Sequence, residues 1–325
     1  MKKKAVPAIL FLLATVITGP SVSAQPKYPE RAIEMVIPWG AGGTSDITGR
    51  IFANELAKIL KVPVTPVNKG GGGSVVGLTY VHNAKKDGYT TLYTSVGCPI
   101  GSAIVEGVPY DFGKDFVPLT ILCSTPYCLF VKSDSPIKTL EDLIERAKKN
   151  PKAISVGCVM AGDAYFNLKI LEKAAGVEFT VVPMKSGGET PPAILGGHVD
   201  VGIGIYTPPL PFVRAGQMRF LAFTGSMKMK EFPAVPTLRE RGYKQTFLDN
   251  NWNALFVAAG VPQQVMDILI SASERTLKSK DMIASLEKVG NEIEVMSTAD
   301  FRKKVEAENK VIISLVNELN LKEKK

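Results

Sequence analysis

The sequence predicts an α/β protein in which mainly parallel sheets are flanked by helices. Short runs of β-branched and aromatic residues alternate with amphipathic stretches, and the loops between them are short and contain glycine. This alternation is typical of strand–helix–strand units. A mature chain of about 300 residues is long enough for two domains with separate cores.

The amino-terminal part supplies three predicted strands and two predicted helices. Residues 32–38, 64–67 and 90–95 are rich in β-branched residues, and each ends at a turn signal or a glycine-containing loop. Between them, residues 46–60 carry apolar residues at the spacing of one helical face. Residues 74–84 form the second predicted helix. The order is therefore strand, helix, strand, helix, strand.

The middle of the chain repeats this order after a long apolar segment at residues 121–131. Thr139 begins a capping-box-like sequence at the start of a helix. Gly176 follows another helix, where a left-handed residue commonly ends it. The predicted strands are 153–156, 179–183, 199–205 and 219–224, and the predicted helices are 139–150, 163–175, 191–195 and 209–215.

The carboxyl-terminal part has a different composition. Residues 252–258 are predicted to form a strand, and the sequence beyond them is mostly helical. Ser297 is predicted to cap a last helix that ends near Leu319.

The first 24 residues have the features of a secretory signal peptide. Lys2, Lys3 and Lys4 precede an apolar run at 5–17, and a small-x-small sequence ends at Ala24. The run of about 13 residues is too short for a membrane-spanning helix. We expect cleavage after Ala24 and export to the periplasm, and an uncleaved anchor is the alternative.

Composition argues against several classes of function. The chain has 39 Lys and Arg residues against 31 Asp and Glu residues, and the basic residues are scattered among acidic ones. Without a basic stripe interleaved with aromatic residues, nucleic acid is not an expected partner. The positive balance suits small anionic ligands.

The cysteines and histidines indicate no metal, cofactor or catalytic centre. No CxxC pair or His-rich spacing is present, and neither HExxH nor a complete G-x-S-x-G occurs. The two histidines, His82 and His198, are expected to have structural roles. For an exported protein, two alternatives stay open: a disulfide bridge between Cys123 and Cys128, and free thiols.

The loop at residues 38–46, PWGAGGTSD, carries the clearest sign of a binding site. It joins a predicted strand to a predicted helix, so glycines can bring main-chain N–H groups close to a ligand at the helix N-terminus. Such a loop suits a carboxylate or phosphate. Asp46 has two open interpretations, as a helix cap and as a ligand contact.

A second small-residue loop, SVGCVMAGD at residues 155–163, leads into another predicted helix. In open α/β sheets, ligands bind beyond the carboxyl ends of the strands, where both loops lie. We therefore expect the two loops to face each other across a cleft. Two ordinary strand-to-helix turns are the alternative.

Eight segments, in consistent order and spacing, resemble a known family over nearly the whole mature chain. They are YPERAI at 28–33, VIPWGAGGTSD at 36–46, VNKGGGG at 67–73, DGYTTL at 87–92, VPMKSGG at 182–188, ILGGHVD at 194–200, FPAVPT at 232–237 and residues 252–262. The sequence thereby resembles the periplasmic solute-binding receptors of tripartite tricarboxylate transporters, the Bug-type receptors.

The resemblance implies a type II periplasmic-binding-protein fold, the Venus flytrap, with a mixed, mainly parallel sheet in each domain. It implies that residues 25–124 and 225–325 form domain 1 and that residues 125–224 form domain 2. Hinge segments are expected near 120–130 and 220–258.

The resemblance also implies that backbone groups of the first loop hold a ligand carboxylate, with Asp46 supporting the loop. Trp39 stands where the family commonly has Phe, which favours a small aromatic acid as one alternative. The residues expected to bind the ligand are Pro38, Trp39, Gly40, Ala41, Gly42, Gly43, Thr44, Asp46, Ser95, Gly97, Gly157, Ala161, Gly162, Asp163, Asp200, Tyr206 and Thr207.

The function implied is that of a non-enzymatic, monomeric receptor. It would capture a small organic carboxylate, either a di- or tricarboxylate or an aromatic acid, and deliver it to membrane transporter subunits without inserting into the membrane. A receptor that feeds a membrane sensor kinase is the first alternative. An exported hydrolase is a remote one.

Overall fold

The computed structural model describes Lys2 and residues 28–225, 227–244 and 250–322. Apart from Lys2, the expected signal peptide lies outside the described residues. The strands in the described ranges are β1 (Ile33–Ile37), β2 (Val64–Asn68), β3 (Thr90–Ser95), β4 (Phe116–Thr125), β5 (Tyr127–Lys132), β6 (Ser155–Val159), β7 (Thr180–Met184), β8 (Val201–Ile205), β9 (Met218–Phe223), β10 (Asn251–Ala258) and β11 (Glu292–Ile293).

Helices lie between most of these strands and after the last one. In the described part of the chain, none is long and apolar enough to cross a membrane. The helices are α1 (Thr44–Leu60), α2 (Val75–Asn83), α3 (Gly97–Ile104), α4 (Phe112–Asp115), α5 (Leu140–Lys149), α6 (Asp163–Ala175), α7 (Thr190–Leu195), α8 (Leu210–Arg214), α9 (Gln263–Leu277), α10 (Lys280–Lys288) and α11 (Thr298–Glu318).

The strands form two separate sheets. The six-stranded sheet has the order β11-β4-β10-β3-β1-β2, and the five-stranded sheet has the order β7-β6-β8-β5-β9. We call the described residues 28–125 and 250–322, which contain the larger sheet, the first lobe. The second lobe is 127–223, which contains the smaller sheet. Both lobes are α/β, as the sequence predicts.

Both sheets are mixed, and their antiparallel share exceeds the sequence expectation. Pairing is parallel among β1, β2 and β3 and among β6, β7 and β8. β5 and β10, the strands that the chain forms directly after it passes from one lobe to the other, pair antiparallel with their neighbours. The chain reaches these strands from the other lobe, so the helical crossover that makes neighbouring strands parallel is absent there.

The long apolar segment at 121–131 is divided between the two lobes. β4 ends at Thr125 and β5 begins at Tyr127, so the single residue Pro126 separates strands of different sheets. Proline has no N–H group to donate to a ladder, which suits the point where the chain changes sheet. The chain returns to the first lobe between β9 and β10.

The first lobe is held together by aromatic and aliphatic side chains on both faces of its sheet. Phe52 and Leu56 of α1 are buried against the strand residues Met35 and Ile37. Trp252 on β10 stacks on Phe256. Each such side chain contributes about 1.5–3 kcal/mol through removal from water. α1 is thereby fixed against the sheet, and its N-terminus is fixed with it.

The four cysteines are free and buried. Cys123 lies on β4 and Cys128 on β5, so the two belong to different sheets. Of the two alternatives left open by the sequence, the structure shows the free thiols. Burial raises the pKa of the Cys98 thiol to about 12, although hydrogen bonds from Ser74 and Thr94 oppose the shift. This thiol is therefore protonated at neutral pH.

Candidate functional site

A small cavity lies between the two lobes, at the carboxyl ends of their parallel strands. About 50 Å³ is open to the centre of a water-sized sphere, which is room for roughly three to five water-sized groups. The lining residues come from both lobes and are Trp39, Gly40, Gly43, Thr44, Ser45, Ser95, Val159, Asp163, Ala164, Ser186, Gly187, Thr190, Ile203, Gly204, Ile205 and Pro208.

On the first lobe, the N-terminus of α1 opens onto this cavity. Gly43 is the N-cap residue, with extended backbone and no side chain to cover the helix end. The first N–H groups of a helix have no partner inside the helix, so Thr44 and Ser45 present main-chain donors there. The aligned peptide dipoles add partial positive charge at the same point. This end of the cavity suits an anion.

Two side-chain donors strengthen the same end. Thr44 is 2% exposed, and its hydroxyl has no hydrogen-bond partner among the described residues. The Nε1 atom of the Trp39 indole is likewise buried without a described partner. A buried donor that stays unpaired costs about 1–3 kcal/mol. Both residues line the cavity, so a ligand acceptor that reaches these donors would satisfy them.

Asp46 holds the loop from behind and does not line the cavity. Its carboxylate accepts hydrogen bonds from the Gly42 N–H at 2.9 Å and from Arg50 Nε at 2.8 Å. Burial opposes ionisation of this group, but the bonds from Arg50 and Gly42 outweigh burial and lower the pKa of Asp46. The loop is therefore braced by an ionised carboxylate that points away from the ligand space.

The Trp39 ring forms a wall between the lobes, and Gly97 leaves the space that it occupies. A Cβ atom at Gly97 would lie 2.8 Å from Cζ2 of Trp39 and 3.5 Å from Cγ of Asp163. A Cβ atom at Gly162 would lie 3.7 Å from the same ring. The indole thus lies beside the loop before α3 in one lobe and the turn before α6 in the other.

On the second lobe, the turn that begins α6 carries its own acid. Asp163 is the first residue of the helix and is 7% exposed. Its carboxyl group accepts a hydrogen bond from the Tyr127 hydroxyl at 3.0 Å and from the Ala164 N–H at 2.9 Å. Burial raises the pKa of Asp163 despite these bonds. The donors of this turn are therefore partly used by the protein itself.

The lobes touch at the cavity mouth. Ser186 Oγ donates to the Ala41 carbonyl oxygen at 2.9 Å, which joins the second lobe to the glycine loop of the first. A Cβ atom at Gly188 would lie 2.6 Å from the Gly42 oxygen, so only glycine fits this approach. The cleft is closed in this structure.

Some of the predicted site residues line the cavity and others support it. The lining set contains Trp39, Gly40, Gly43, Thr44, Ser95 and Asp163. Gly97 and Gly162 lie against the Trp39 ring, and a Cβ atom at Gly157 would meet Met184 and Thr190. Pro38, Ala41, Gly42, Asp46 and Ala161 lie behind the cavity or at its mouth.

The remaining three do not line the cavity. Asp200 accepts hydrogen bonds from the N–H and hydroxyl groups of Ser155, at the amino end of β6, whereas the cavity lies at the carboxyl end. Tyr206 is fully buried and stacks on Phe220. Thr207 Oγ1 accepts a hydrogen bond from Asn291 Nδ2 at 2.9 Å. This bond joins the two lobes outside the cavity.

Sequence reasoning missed much of the wall that the second lobe provides. These residues are Ala164, Ser186, Gly187, Thr190, Ile203, Gly204 and Pro208. A usable signal was present. Ile203 and Ile205 are two apart on a strand that ends at the cleft, so they share a face.

A family comparison agrees with this geometry. The family model described as the tripartite tricarboxylate transporter family receptor matches residues 48–321. The chain belongs to this family of periplasmic receptors. The match covers both lobes and starts within α1.

Relatives with curated descriptions support the assignment. The chain is similar to protein BugT of Bordetella pertussis, with 29% identity over 277 residues that cover 84% of each chain. It is also similar to a protein encoded in the gbd 5' region of Cupriavidus necator, with 33% identity over 225 residues, or 69% of this chain and 68% of the other.

Solved structures of periplasmic binding proteins share the fold. The structure of BugD superposes with a TM-score of 0.85 at 26% identity and covers 92% of this chain and 100% of its own. The structure of MatC from Rhodopseudomonas palustris with bound malate superposes with a TM-score of 0.83 at 25% identity and covers 89% and 100%. The two-domain Venus-flytrap prediction is confirmed.

Proposed function

We propose that this protein is a periplasmic receptor that binds a small organic carboxylate between its lobes and delivers it to membrane subunits of a tripartite transporter. One observation carries the proposal: Trp39 and Thr44, which both have unpaired, buried donors, line a cavity at the N-terminus of α1. The family and the malate bound to MatC support the same class of ligand.

The proposed contacts place the ligand carboxylate at the first lobe. The first-turn N–H groups of α1, the Thr44 hydroxyl and the Trp39 indole N–H would donate to its oxygens. Hydrogen bonds to an ionised group are about twice as strong as neutral ones. They strengthen further in a dry cavity of low dielectric constant. No cationic side chain is needed for such a site.

The proposed mechanism is closure of the two lobes around the ligand. We propose the domain boundaries given by the resemblance, with the moving joints at Pro126 and between β9 and β10, where the chain changes sheet. A ligand that contacts both lobes stabilises the closed form by its differential affinity for that form. The contact between Ser186 and Ala41 belongs to the closed form only.

A thermal-shift screen followed by isothermal titration tests this function. The mature protein is mixed with a panel of mono-, di- and tricarboxylates and benzoate, and each acid is paired with its uncharged amide. A ligand that binds the native state raises the melting temperature. We expect at least one acid to do so and its amide to have no effect. Saturable binding only to amides, sugars or amines would contradict the proposal.

A further inference from the structure

The charges that line the cavity are unbalanced. Of the described lining residues, Asp163 is the one with an ionisable side chain, and none is Lys, Arg or His. A ligand with two or three carboxylates would bring further negative charge next to a buried acid. No cationic side chain of the lining could compensate for it. The number of carboxylates on the ligand is therefore restricted by the protein.

The two ends of the cavity differ in chemistry. The end at α1 has unpaired donors, including the Thr44 hydroxyl, which is 2% exposed. At the other end, the Ala164 N–H and the Tyr127 hydroxyl already donate to Asp163. The anion-binding capacity of that second helix N-terminus is thus used by the protein's own carboxyl group. A ligand carboxylate has an attractive place at one end only.

The rest of the second-lobe wall is largely apolar. Its apolar side chains are those of Val159 at the end of β6, Ile203 and Ile205 on β8, Pro208 and Ala164, and its hydroxyl groups are those of Ser186 and Thr190. Such a wall favours a hydrocarbon body over a solvated polar group.

On the basis of the proposed function, we infer that this receptor is selective for small monocarboxylates with an apolar body. In its ionised form, Asp163 is the specificity-determining residue that rejects a second carboxylate. The single carboxylate binds at α1, and the hydrocarbon body lies against the second lobe. The receptor discriminates because Asp163 makes the binding of a dicarboxylate unfavourable. It does not require any additional attractive contact with the right one.

Titration with matched acids tests the inference. The probes are straight-chain monocarboxylates of three to six carbons, each compared with the dicarboxylate of equal chain length, and benzoate compared with terephthalate. For the wild-type protein, we expect the monocarboxylate of the best pair to bind about tenfold or more tightly than its dicarboxylate, because juxtaposed like charges are strongly unfavourable.

The variant Asp163→Asn keeps the shape and removes the charge, and its amide can still bond to Tyr127 and Ala164. We expect it to reduce the preference for the monocarboxylate by about tenfold. The matched control is Asp134→Asn, which removes the same charge from an exposed turn, where the side chain is 70% exposed. This control should leave the preference unchanged.

Three results would overturn the inference. They are a wild-type preference for the dicarboxylate, an unchanged preference in a folded Asp163→Asn variant, and an equal change in Asp134→Asn. The wild-type comparison stands even if Asp163→Asn does not fold. Absence of binding by every acid would contradict the proposed function itself, whereas dicarboxylate preference would contradict only the selectivity.

Discussion

The turns that begin α1 and α6 have similar sequences but opposite electrostatic roles. Each follows a strand, contains glycine and carries an aspartate in the first turn of its helix. In the first lobe, Asp46 points back to Gly42 and Arg50 and has a lowered pKa. In the second lobe, Asp163 lines the cavity, and burial raises its pKa.

The position of the acid within the turn explains this difference. Asp46 is the third residue of its helix, so its side chain reaches back over the loop and leaves the first N–H groups uncovered. Asp163 is the first residue of its helix, and its side chain stays at the helix end beside the cavity. The aspartate therefore lies two residues earlier in α6 than in α1. This difference in position gives a turn that attracts an anion in the first lobe and a turn that repels one in the second.

The largest expected effect comes from blocking the approach of the first turn to the second lobe. In Gly188→Ala, the new Cβ atom would lie 2.6 Å from the Gly42 oxygen. Overpacking of this kind costs about 1–3 kcal/mol, so we expect the affinity for the best acid to fall by up to about 100-fold. Isothermal titration measures this affinity.

The melting temperature of the unliganded Gly188→Ala variant is the control for folding. If the lobes separate without ligand, the added methyl group meets nothing and the temperature should stay close to that of the wild-type protein. An affinity within a factor of two of wild type would show that the closed contact does not form on binding.

Loss of the brace behind the first turn should have the next largest effect. Asp46→Ala leaves the Gly42 N–H and Arg50 without their acceptor. Loss of a side-chain acceptor that caps a helix start costs about 0.5–2 kcal/mol. We expect a melting temperature several degrees lower and about tenfold weaker binding. Asp46→Asn still accepts a hydrogen bond from Gly42, so its melting temperature and affinity should lie between those of Asp46→Ala and the wild-type protein. Unchanged binding by Asp46→Ala would mean that the loop needs no brace.

Removal of the free hydroxyl of the first turn should have a smaller and more selective effect. Thr44→Val exchanges an unpaired buried hydroxyl for a methyl group, so the unliganded stability should be equal or higher. Loss of one hydrogen bond to a charged group, about 1.5 kcal/mol, predicts roughly tenfold weaker binding or less. Thr44→Ser keeps the hydroxyl and is the control. Equal titration curves for Thr44→Val and wild type would remove Thr44 from the site.

The smallest effect expected is a difference in pH dependence between the two acids. The lowered pKa of Asp46 gives a stabilisation that is present above the ordinary value of 3.8 and is lost as the pH falls through the folded-state pKa. The raised pKa of Asp163 acts in the opposite direction: stability is lost as the pH rises from 3.8 through the raised pKa.

Melting curves of the unliganded wild type, Asp46→Asn and Asp163→Asn between about pH 2.5 and pH 8 measure this difference, because the contribution of Asp46 changes below its ordinary pKa. With rising pH, Asp46→Asn should become less stable relative to wild type, and Asp163→Asn should become more stable. Parallel curves for the two variants would show that the two turns do not differ electrostatically.

The sequence predicted the fold and the first turn because their signals are local. Helix α6 begins at Asp163 and Gly176 ends it with φ of 64°, as its spacing and glycine predict. Helix α3 was missed, because two glycines and a proline lower its helix propensity. The loop at 38–46 lies at the predicted helix start.

The second-lobe wall could not be located in the same way. Which residues on β8 and after β7 reach the cavity depends on sheet order, with β8 beside β6, and on the closed arrangement of the lobes. Neither is encoded in local spacing. The same holds for Tyr206, whose ring is buried in the core beside Phe220 and Phe223, while Ile205 next to it lines the cavity.

A crystal structure of the protein with the acid that raises its melting temperature most tests the difference between the two turns directly. We predict that a carboxylate oxygen lies about 3 Å from Thr44 Oγ1 and from a first-turn N–H group of α1, with the hydrocarbon body against Ile203 and Ile205. A carboxylate bound at the α6 turn beside Asp163, with the Thr44 hydroxyl still unpaired, would contradict it.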